Sequence, residues 1–308
     1  MSEKIVLAFV SIGGPVKITN NHNLPNHIVQ LASRSTYSKG KAEYSVTELL
    51  SPPRIRRLRE QHINELTQDV SEMLWALMGS ALHVVLERGT TPNTLQEERL
   101  FLDINGTTIS GQIDLQEHTP QGVVITDHKF TSVWSVMNGK ADWEAQLNIY
   151  RYLVEKVKGQ KVYKLQILAF LRDWNRHEMK AGYPPTQVHV VDIPIWDLEK
   201  AEQFIQNRLE LHRDSKLSHA WGDGLPECTS EDRWESETTY AVKREGRKTA
   251  IRVFKTLEEA TELANKEKGY VETRIGESKR CTGNWCGVAE FCDQYRASLS
   301  NSERQLED

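Results

Sequence analysis

The spacing of hydrophobic and polar positions changes several times along the middle of the chain. Residues 69–89 repeat apolar side chains at three- and four-residue steps, which predicts a helix. Residues 95–130 alternate apolar and polar side chains around an Asn105-Gly106 pair, which predicts an antiparallel meander. The helical pattern recurs at residues 143–156 and 197–213 and predicts two further helices. Two further strands are predicted at residues 162–171 and 188–195. We therefore expect an α/β fold in which a mixed sheet is flanked by helices.

A different organisation begins near Trp221. Between Cys228 and Cys281, short alternating runs, a glycine turn and one helical run predict a small ββαβ unit. Three cysteines then lie close together before a polar tail. We predict four segments: an N-terminal appendage at 1–44, a core at 45–220, the ββαβ insertion with a cysteine-ligated lobe at 221–297, and the tail at 298–308.

Composition excludes several classes of protein. Hydrophobic residues make up 38% and charged residues 27%, which is typical of a soluble globular protein. No apolar run approaches the roughly 20 residues that cross a bilayer, and the short run at 5–10 is a poor secretory signal, so we expect a cytoplasmic protein. The net charge of -4 disfavours coating nucleic acid by bulk charge, but it allows a locally basic groove.

Two acidic side chains and one amine converge on the predicted meander. Asp114 lies on one strand, and Asp127 and Lys129 share one face of the next because side chains alternate along a strand. Two carboxylates about 4 Å apart repel by roughly 4 kcal/mol at an effective dielectric near 20. A hard divalent cation between them would remove that repulsion, so the pattern indicates a metal site. The alternative is a structural salt-bridge cluster, which is costly to bury without a ligand.

Polar positions on the flanking helices add to this site. His83 and Glu87 are four residues apart on the first helix, and Gln146 and Tyr150 are four apart on a later one, so each pair shares a helix face. A histidine inside an apolar helix is more often a core residue than a ligand. Here Gly79 would let another backbone come close, and the acidic meander follows, so we predict that His83 is a ligand.

In chain order these residues form four motifs. They are GxxxHxxxE at residues 79–87, GxxD at 111–114, DxK at 127–129 and QxxxY at 146–150. Their order and element types resemble the PD-(D/E)xK nuclease superfamily over roughly residues 45–170, and within it the RecB-like exonucleases of the AddB and CRISPR-associated types, including phage-encoded ones. The resemblance implies a restriction-endonuclease-like mixed sheet flanked by helices.

The resemblance also implies a metal-dependent hydrolase. His83, Asp114 and Asp127 would ligate Mg²⁺ or Mn²⁺, with the backbone carbonyl of His128 as a further ligand. Lys129 would position or deprotonate the attacking water, because a neighbouring cation and burial both lower the pKa of an amine.

Further site residues and partners follow from the same resemblance. Gln146 and Tyr150 would shape the site and contact the DNA backbone, and Glu87 and Glu98 would support the ligands or bind a second metal. The expected function is that of a DNA exonuclease on single-stranded or duplex ends in recombination, repair or phage replication, without sequence readout. The alternatives are a non-catalytic DNA-end-binding module and a nuclease subunit that acts only within a helicase or adaptation complex. The chain has no Walker motif, so any helicase would be a partner.

Four cysteines form a second candidate site. Gaps of four and five residues separate Cys281, Cys286 and Cys292, and folding would bring Cys228 to them. Many RecB-like exonucleases hold a [4Fe-4S] cluster with three cysteines near the C-terminus, so the resemblance implies one here, although in the family the first cysteine usually precedes the core. Structural zinc typically uses gaps of two to four residues, so the five-residue gap favours iron and sulfur; zinc and unmetallated thiols are the alternatives.

A basic stretch precedes the core helix. Four arginines, at positions 54, 56, 57 and 59, follow two prolines on a predicted helix that resembles the entry helix of the family. These arginines can hold phosphate groups or form a solvated helix face, and the sequence favours neither interpretation.

Overall fold

A computed structural model describes residues 6–10, 14–33, 38–178, 180–222, 224–283 and 285–299. The described residues form two compact units. The first contains those of Met1–Ser51 and Ile63–Trp221, and the second those of Pro52–His62 and Gly222–Asp308. Within the described ranges, no helix is long and apolar enough to cross a membrane. Residues 300–308 of the predicted tail lie outside the described residues.

The elements follow the order that the sequence patterns predict. The strands are β1 (Val6–Val10), β2 (Gly14–Thr19), β3 (Tyr44–Ser45), β4 (Thr67–Asp69), β5 (Thr94–Ile104), β6 (Thr107–Thr119), β7 (Gly122–Thr131), β8 (Val162–Leu171), β9 (Val188–Ile193), β10 (Thr239–Lys243), β11 (Arg252–Phe254) and β12 (Tyr270–Arg274). The α-helices are α1 (Asn26–Ala32), α2 (Val46–Leu50), α3 (Pro53–Gln61), α4 (Leu74–Leu86), α5 (Val133–Asn138), α6 (Ala141–Lys158), α7 (Leu198–Trp221), α8 (Leu257–Glu267) and α9 (Lys279–Thr282).

The central sheet of the first unit is mixed, as predicted. Its strand order is β3-β6-β7-β8-β9, with β5 paired to β6. The meander β5-β6-β7 is antiparallel, while β7 and β8 are parallel because α6 provides the crossover between them. Asn105 and Gly106 both have positive φ, at 52° and 80°, which suits the tight turn predicted between β5 and β6. This is the mixed α/β architecture of a restriction-endonuclease-like fold.

The core of this unit lies between α6 and the sheet. Leu147 and Leu153 of α6 are fully buried, together with Ile125 and Ile167 of the sheet. Gly111 of β6 permits this close packing, because an added Cβ would lie 2.7 Å from Leu153 and 2.9 Å from the Tyr150 ring. This packing brings the polar side chains in the first half of α6 against β7.

The N-terminal part of the first unit forms a smaller sheet. Its order is β1-β2-β4, and a cluster of apolar side chains that includes Ile18, Val29 and Val70 covers it. The predicted helix at 69–89 follows as a short 3₁₀ turn and then α4, which has no buried side chain. Among the described residues outside the helix backbone, none comes within 4 Å of a Cβ added at Gly79, so the close backbone approach expected there is wrong.

The second unit contains the predicted ββαβ arrangement. Strands β11, β10 and β12 form an antiparallel sheet in that order, and α8 packs on it through Ala260 and Ala264 against Val242. The arginine-rich α3 belongs to this unit rather than to the unit with the central sheet. Arg54 and Arg57 are buried, so a fully solvated helix face is the wrong interpretation of α3.

Candidate active site

Strands β6 and β7 part at the position of the two predicted carboxylates. Their pairing runs from the turn as far as Leu115 and Thr126. Beyond this point the two strands no longer pair with each other. The His128 backbone N–H instead donates a 2.7 Å hydrogen bond to the Asp114 side chain, at Oδ2. Asp114 is 9% exposed and Asp127 is 2% exposed. The gap between the strands is therefore lined by two buried carboxylates.

One face of β7 presents a hydrogen-bonded network to α6. Asp127 Oδ2 lies 2.6 Å from Lys129 Nζ, as expected for side chains two positions apart on a strand. Gln146 joins both residues: its Oε1 accepts from Lys129 Nζ at 3.1 Å, and its Nε2 is 3.1 Å from Asp127 Oδ1. The same Nε2 lies 2.9 Å from the Tyr150 hydroxyl. The DxK and QxxxY motifs thus meet at one point.

The other face of β7 meets α4. The His128 and His83 rings lie 5.9 Å apart between centroids. His83 Nδ1 is 3.7 Å from Asp114 Oδ1, and its side chain is 37% exposed. Strand and helix therefore bring two imidazoles to one buried carboxylate.

Glu97 is a site residue that the sequence patterns missed. Its Oε1 lies 3.2 Å from His83 Nδ1, and its Oε2 accepts from Gln112 Nε2 at 2.6 Å. In the register of β5 and β6, Glu97 stands opposite Asp114, at the one position where the pairing between these two strands is interrupted. Its φ of 52° lies in the left-handed region, which is uncommon for a residue with a side chain and is typical of functional sites.

The two remaining candidates lie outside this cluster. Glu98 accepts from Gln116 Nε2 at 2.7 Å and pairs with Lys158 Nζ at 2.7 Å, near the end of α6. Glu87 is an exposed residue at the C-cap of α4. The hydrogen bonds and ion pairs of the described residues join Glu97, and not Glu98, to His83, while the roles predicted for Glu87 and Glu98 stay predictions.

His83, Asp114 and His128 could hold a metal ion. Their candidate ligand atoms all lie within 4.8 Å of one another. His128 Nδ1 is buried, and no described residue hydrogen bonds to it, so the imidazole offers a nitrogen that the protein leaves unused. The donor set fits a divalent cation, but it uses the His128 ring, whereas the sequence predicted its backbone carbonyl. Asp127 stands beside this group and not within it.

Electrostatics at the metal-binding candidates favour a bound cation. Burial, followed by the charge of Asp127, raises the pKa of Asp114 to about 7. Burial and then the nearby His83 lower the pKa of His128, which favours the neutral imidazole that a metal needs. The hydrogen bond that His83 donates to the Glu97 carboxylate raises the pKa of His83. A cation would favour the charged form of Asp114 and compete with the proton on His83.

The protein groups of this network raise the pKa of Lys129. Burial lowers its pKa, but the charge of Asp127 and the contact with its carboxylate raise the pKa above the ordinary lysine value. The protein groups around Lys129 therefore favour positioning by a positive charge over proton abstraction.

The four cysteines lie near one another in the second unit, and none is in a disulfide. Gln294 joins the segments of Cys228 and Cys292, since its side chain exchanges hydrogen bonds of 2.9 and 2.8 Å with the Cys228 backbone. Burial, then Asp232, and then the charges of Cys286 and Cys292 raise the pKa of Cys228 to about 12. Cys228 therefore lies near Cys286 and Cys292 despite its distance from them in the sequence.

Arginines surround these cysteines. Arg54 of α3 donates from Nε to Cys292 Sγ at 3.3 Å. After burial, the largest influence, the charges of Arg233 and Arg280 act to lower the pKa of Cys281. Arg280 and Arg59 act in the same direction on Cys286, whose pKa burial raises. Arg54 and Arg59 of α3 thus act on cysteine sulfur atoms, but burial outweighs the nearby positive charges and keeps the pKa of Cys281 and Cys286 raised.

Comparisons with known proteins add the following. A family model described as the PD-(D/E)XK nuclease superfamily matches residues 28–293. No curated protein matches the chain. The solved structure of SSO0001 is 16% identical with a TM-score of 0.40, and the match covers 60% of this chain and 82% of that one. A protein of Eubacterium rectale named as a candidate exonuclease is 14% identical with a TM-score of 0.31, over 56% of this chain and 64% of that one. At these scores neither structure adds to the geometry of the site.

Proposed function

The chain belongs to the PD-(D/E)XK nuclease superfamily, and from this premise we propose that it is a metal-dependent DNA exonuclease. One observation carries the proposal. The network of Asp127, Lys129 and Gln146 lies beside the group of His83, Asp114 and His128 in the gap between two strands. A metal-binding group can activate water and neutralise phosphate charge, and an amine beside it can add a positive charge, so the arrangement suits phosphodiester hydrolysis.

Each side chain has a distinct role in this proposal. His83, Asp114 and His128 would hold the cation, and Asp127 stays a predicted further ligand. A divalent cation supplies Lewis-acid activation of the phosphate and of the attacking water. Lys129, which contacts Asp127 and Gln146, would orient that water and place a positive charge beside the scissile phosphate. Since imidazole suits Mn²⁺ better than Mg²⁺, we expect Mn²⁺ to support cleavage at least as well as Mg²⁺ does.

The network on α6 supports the positioning role of Lys129. Gln146 accepts a hydrogen bond from the ammonium group, so the amine has one defined direction. Tyr150 contacts the other end of the same amide at 2.9 Å and is buried, which fixes the amide orientation. Gln146 and Tyr150 therefore act on the reaction through Lys129 and Asp127, and the predicted contact of these two residues with the DNA backbone stays a proposal.

A cleavage assay on the purified chain tests the proposed function. The substrates are end-labelled linear single-stranded DNA, the matching duplex, circular single-stranded DNA and a matched RNA, each with Mg²⁺, Mn²⁺ or EDTA. We expect metal-dependent release of short products from linear DNA ends, and loss of cleavage in Asp114→Asn. Cleavage of the circle would indicate an endonuclease.

Three outcomes of that assay select the alternatives. Binding to DNA ends without cleavage in either metal would favour the non-catalytic module. Cleavage that needs an added helicase fraction would favour a subunit of a recombination or adaptation complex. Cleavage that persists in EDTA, or in Asp114→Asn, would contradict the metal site. The pathway, whether recombination, repair or phage replication, depends on which of these is found.

We further propose that the cysteines hold a [4Fe-4S] cluster, with zinc as the alternative. A zinc ion with four thiolates at about 2.3 Å would place the sulfur atoms roughly 3.8 Å apart. In the described part of the chain, no three cysteines bring their sulfur atoms within such a short distance of one another. The surrounding arginines would balance the negative charge of a larger thiolate-ligated cluster.

The metal content of the second unit decides between these cofactors. We expect protein purified without oxygen to be brown, to absorb near 400 nm and to contain about four iron atoms per chain. Cys286→Ala should lose both the colour and the iron. A colourless protein with one stoichiometric zinc would overturn the iron-sulfur proposal, and a metal-free soluble protein would favour free thiols.

A further inference from the structure

An exposed tryptophan lies beside the candidate active site. Trp75 lies on α4 and is 47% exposed. The centre of its ring is 6.0 Å from that of Phe130 on β7, and the Arg172 guanidinium carbon is 4.8 Å from the Trp75 ring centre. An aromatic neighbour and a cation therefore fix the ring while nearly half of the residue stays open to solvent.

This cluster is continuous with the catalytic strand. Phe130 follows Lys129 directly, and the Arg172 backbone N–H donates to the Thr131 carbonyl at 2.9 Å. Burial lowers the pKa of Lys140. The charge of Asp142 opposes this effect, and the charges of Arg172 and Lys129 add to it, so both cations act on Lys140. The region beside the metal-binding group is therefore both aromatic and positively charged.

A purely structural role does not explain Trp75. A tryptophan that stabilises a core buries most of its ring, whereas α4 buries none of its side chains. Trp75 and His83 are eight residues apart on this helix, a rise of roughly 12 Å, which is about two nucleotides of an extended strand. The helix that presents a metal ligand thus also presents a flat apolar ring nearby.

We propose that Trp75, supported by Phe130 and Arg172, is a stacking platform for an unpaired base of the strand being cleaved. Single-stranded nucleic acid is gripped by aromatic rings on which bases stack and by cations that follow the phosphates. In a duplex the face of each base is covered by its neighbours, so the platform selects single strands. The proposal rests on the proposed nuclease function, and it names the substrate class and a residue that binds it.

Binding without cleavage tests the platform. The probe is a fluorescent 12-nucleotide oligo(dT) in Ca²⁺, measured by anisotropy at fixed salt, alongside a matched duplex of mixed sequence. Stacking of one base corresponds to roughly 5- to 150-fold in Kd. We expect Trp75→Ala to weaken single-strand binding by a factor in that range and to change duplex binding less than about 2-fold. Trp75→Phe should retain most of the affinity, since it keeps an aromatic face.

Matched controls separate stacking from a general loss of structure. Trp221→Ala removes a tryptophan that is 73% exposed at the end of α7, and it should leave both affinities unchanged. Wild-type protein should bind a probe with consecutive abasic sites as weakly as Trp75→Ala binds oligo(dT), and Trp75→Ala should be insensitive to the abasic sites. If Trp75→Ala fails to fold, Trp75→Phe and the abasic probe still test the wild-type ring.

The outcomes distinguish the two proposals. If the protein cleaves DNA but Trp75→Ala binds single strands as tightly as wild type, the platform is wrong and the nuclease stands. Equal losses for single strands and duplex would also overturn the platform, because they would indicate a backbone contact. If wild type neither cleaves nor binds any probe, the proposed nuclease function fails first.

Discussion

The two faces of β7 carry different kinds of structure. On the face toward α6, Asp127 and Lys129 are tied to Gln146, in a helix with nine buried residues. On the face toward α4, His128 and Phe130 meet a helix with no buried side chain. One half of the candidate site is therefore built into the core, and the other half is held by a few polar and aromatic contacts.

This difference has an energetic meaning. Elements with few buried apolar contacts open at a lower free energy than the core does. The α6 face keeps the catalytic amine in place before any substrate arrives, which is the arrangement that favours catalysis. The α4 face contributes His83 and Trp75, the groups proposed to touch the cation and the strand, on a helix that has no buried side chain.

The largest effect is expected on the α6 face. Lys129→Ala should lower the cleavage rate by about 10²- to 10⁴-fold, the range for loss of a group that acts on the attacking water. The same change leaves Asp127 buried without its counter-charge, so in EDTA the free energy of unfolding should fall by about 3 kcal/mol. Urea denaturation and single-turnover cleavage measure the two effects.

The double variant Asp127→Ala/Lys129→Ala is the matched control. It removes both charges, so it should recover part of the lost stability and none of the activity. If the double variant were less stable than Lys129→Ala, the uncompensated charge of Asp127 would not be the cause of the stability lost in Lys129→Ala.

On the α4 face, activity and stability should separate. His83→Ala removes a proposed ligand whose side chain is 37% exposed. We expect the Mn²⁺ concentration for half-maximal cleavage to rise by about 10- to 100-fold, while the free energy of unfolding in EDTA changes by less than about 1 kcal/mol. A metal titration of the cleavage rate gives the first quantity. An unchanged metal requirement would remove His83 from the site.

Two glycines test the packing of the two faces directly. Gly111→Ala places a Cβ 2.7 Å from Leu153, so it should destabilise the fold by about 1–3 kcal/mol. Gly79→Ala meets nothing within 4 Å in the interior of α4, so helix propensity should stabilise the protein by about 0.5–1 kcal/mol. Thermal melts in EDTA compare the two, and the same sign for both would contradict the contrast between the faces.

Most of the fold follows from local patterns. The Asn105-Gly106 turn, the alternating strands and the amphipathic α6 are all encoded over short distances, and the structure contains each of them. The spacing of the DxK motif likewise placed Asp127 and Lys129 on one face, because a strand fixes the direction of alternate side chains.

What the sequence could not predict depends on contacts between distant segments. An apolar period predicts that α4 is a helix, but it does not say how much of that helix is covered, and here none of its side chains is buried. The arginines of α3 meet cysteines more than 200 positions away, as in the contact of Arg54 with Cys292. No local pattern distinguishes such a helix from one that binds phosphate.

Glu97 and Glu98 show the same limit at a single pair of residues, and they give the sharpest small prediction. Adjacent residues on a regular strand point to opposite faces, but the positive φ of Glu97 changes the local direction and turns its carboxylate to His83.

Glu97→Gln removes the charge of that carboxylate, so the Mn²⁺ requirement should rise by about 3- to 10-fold with the fold intact. Glu98→Gln alters contacts with Gln116 and Lys158 and should leave the metal requirement unchanged, because neither partner belongs to the metal-binding group. The reverse result in a metal titration of the two variants would mean that Glu98, as the sequence motif suggested, is the carboxylate that supports the ligands.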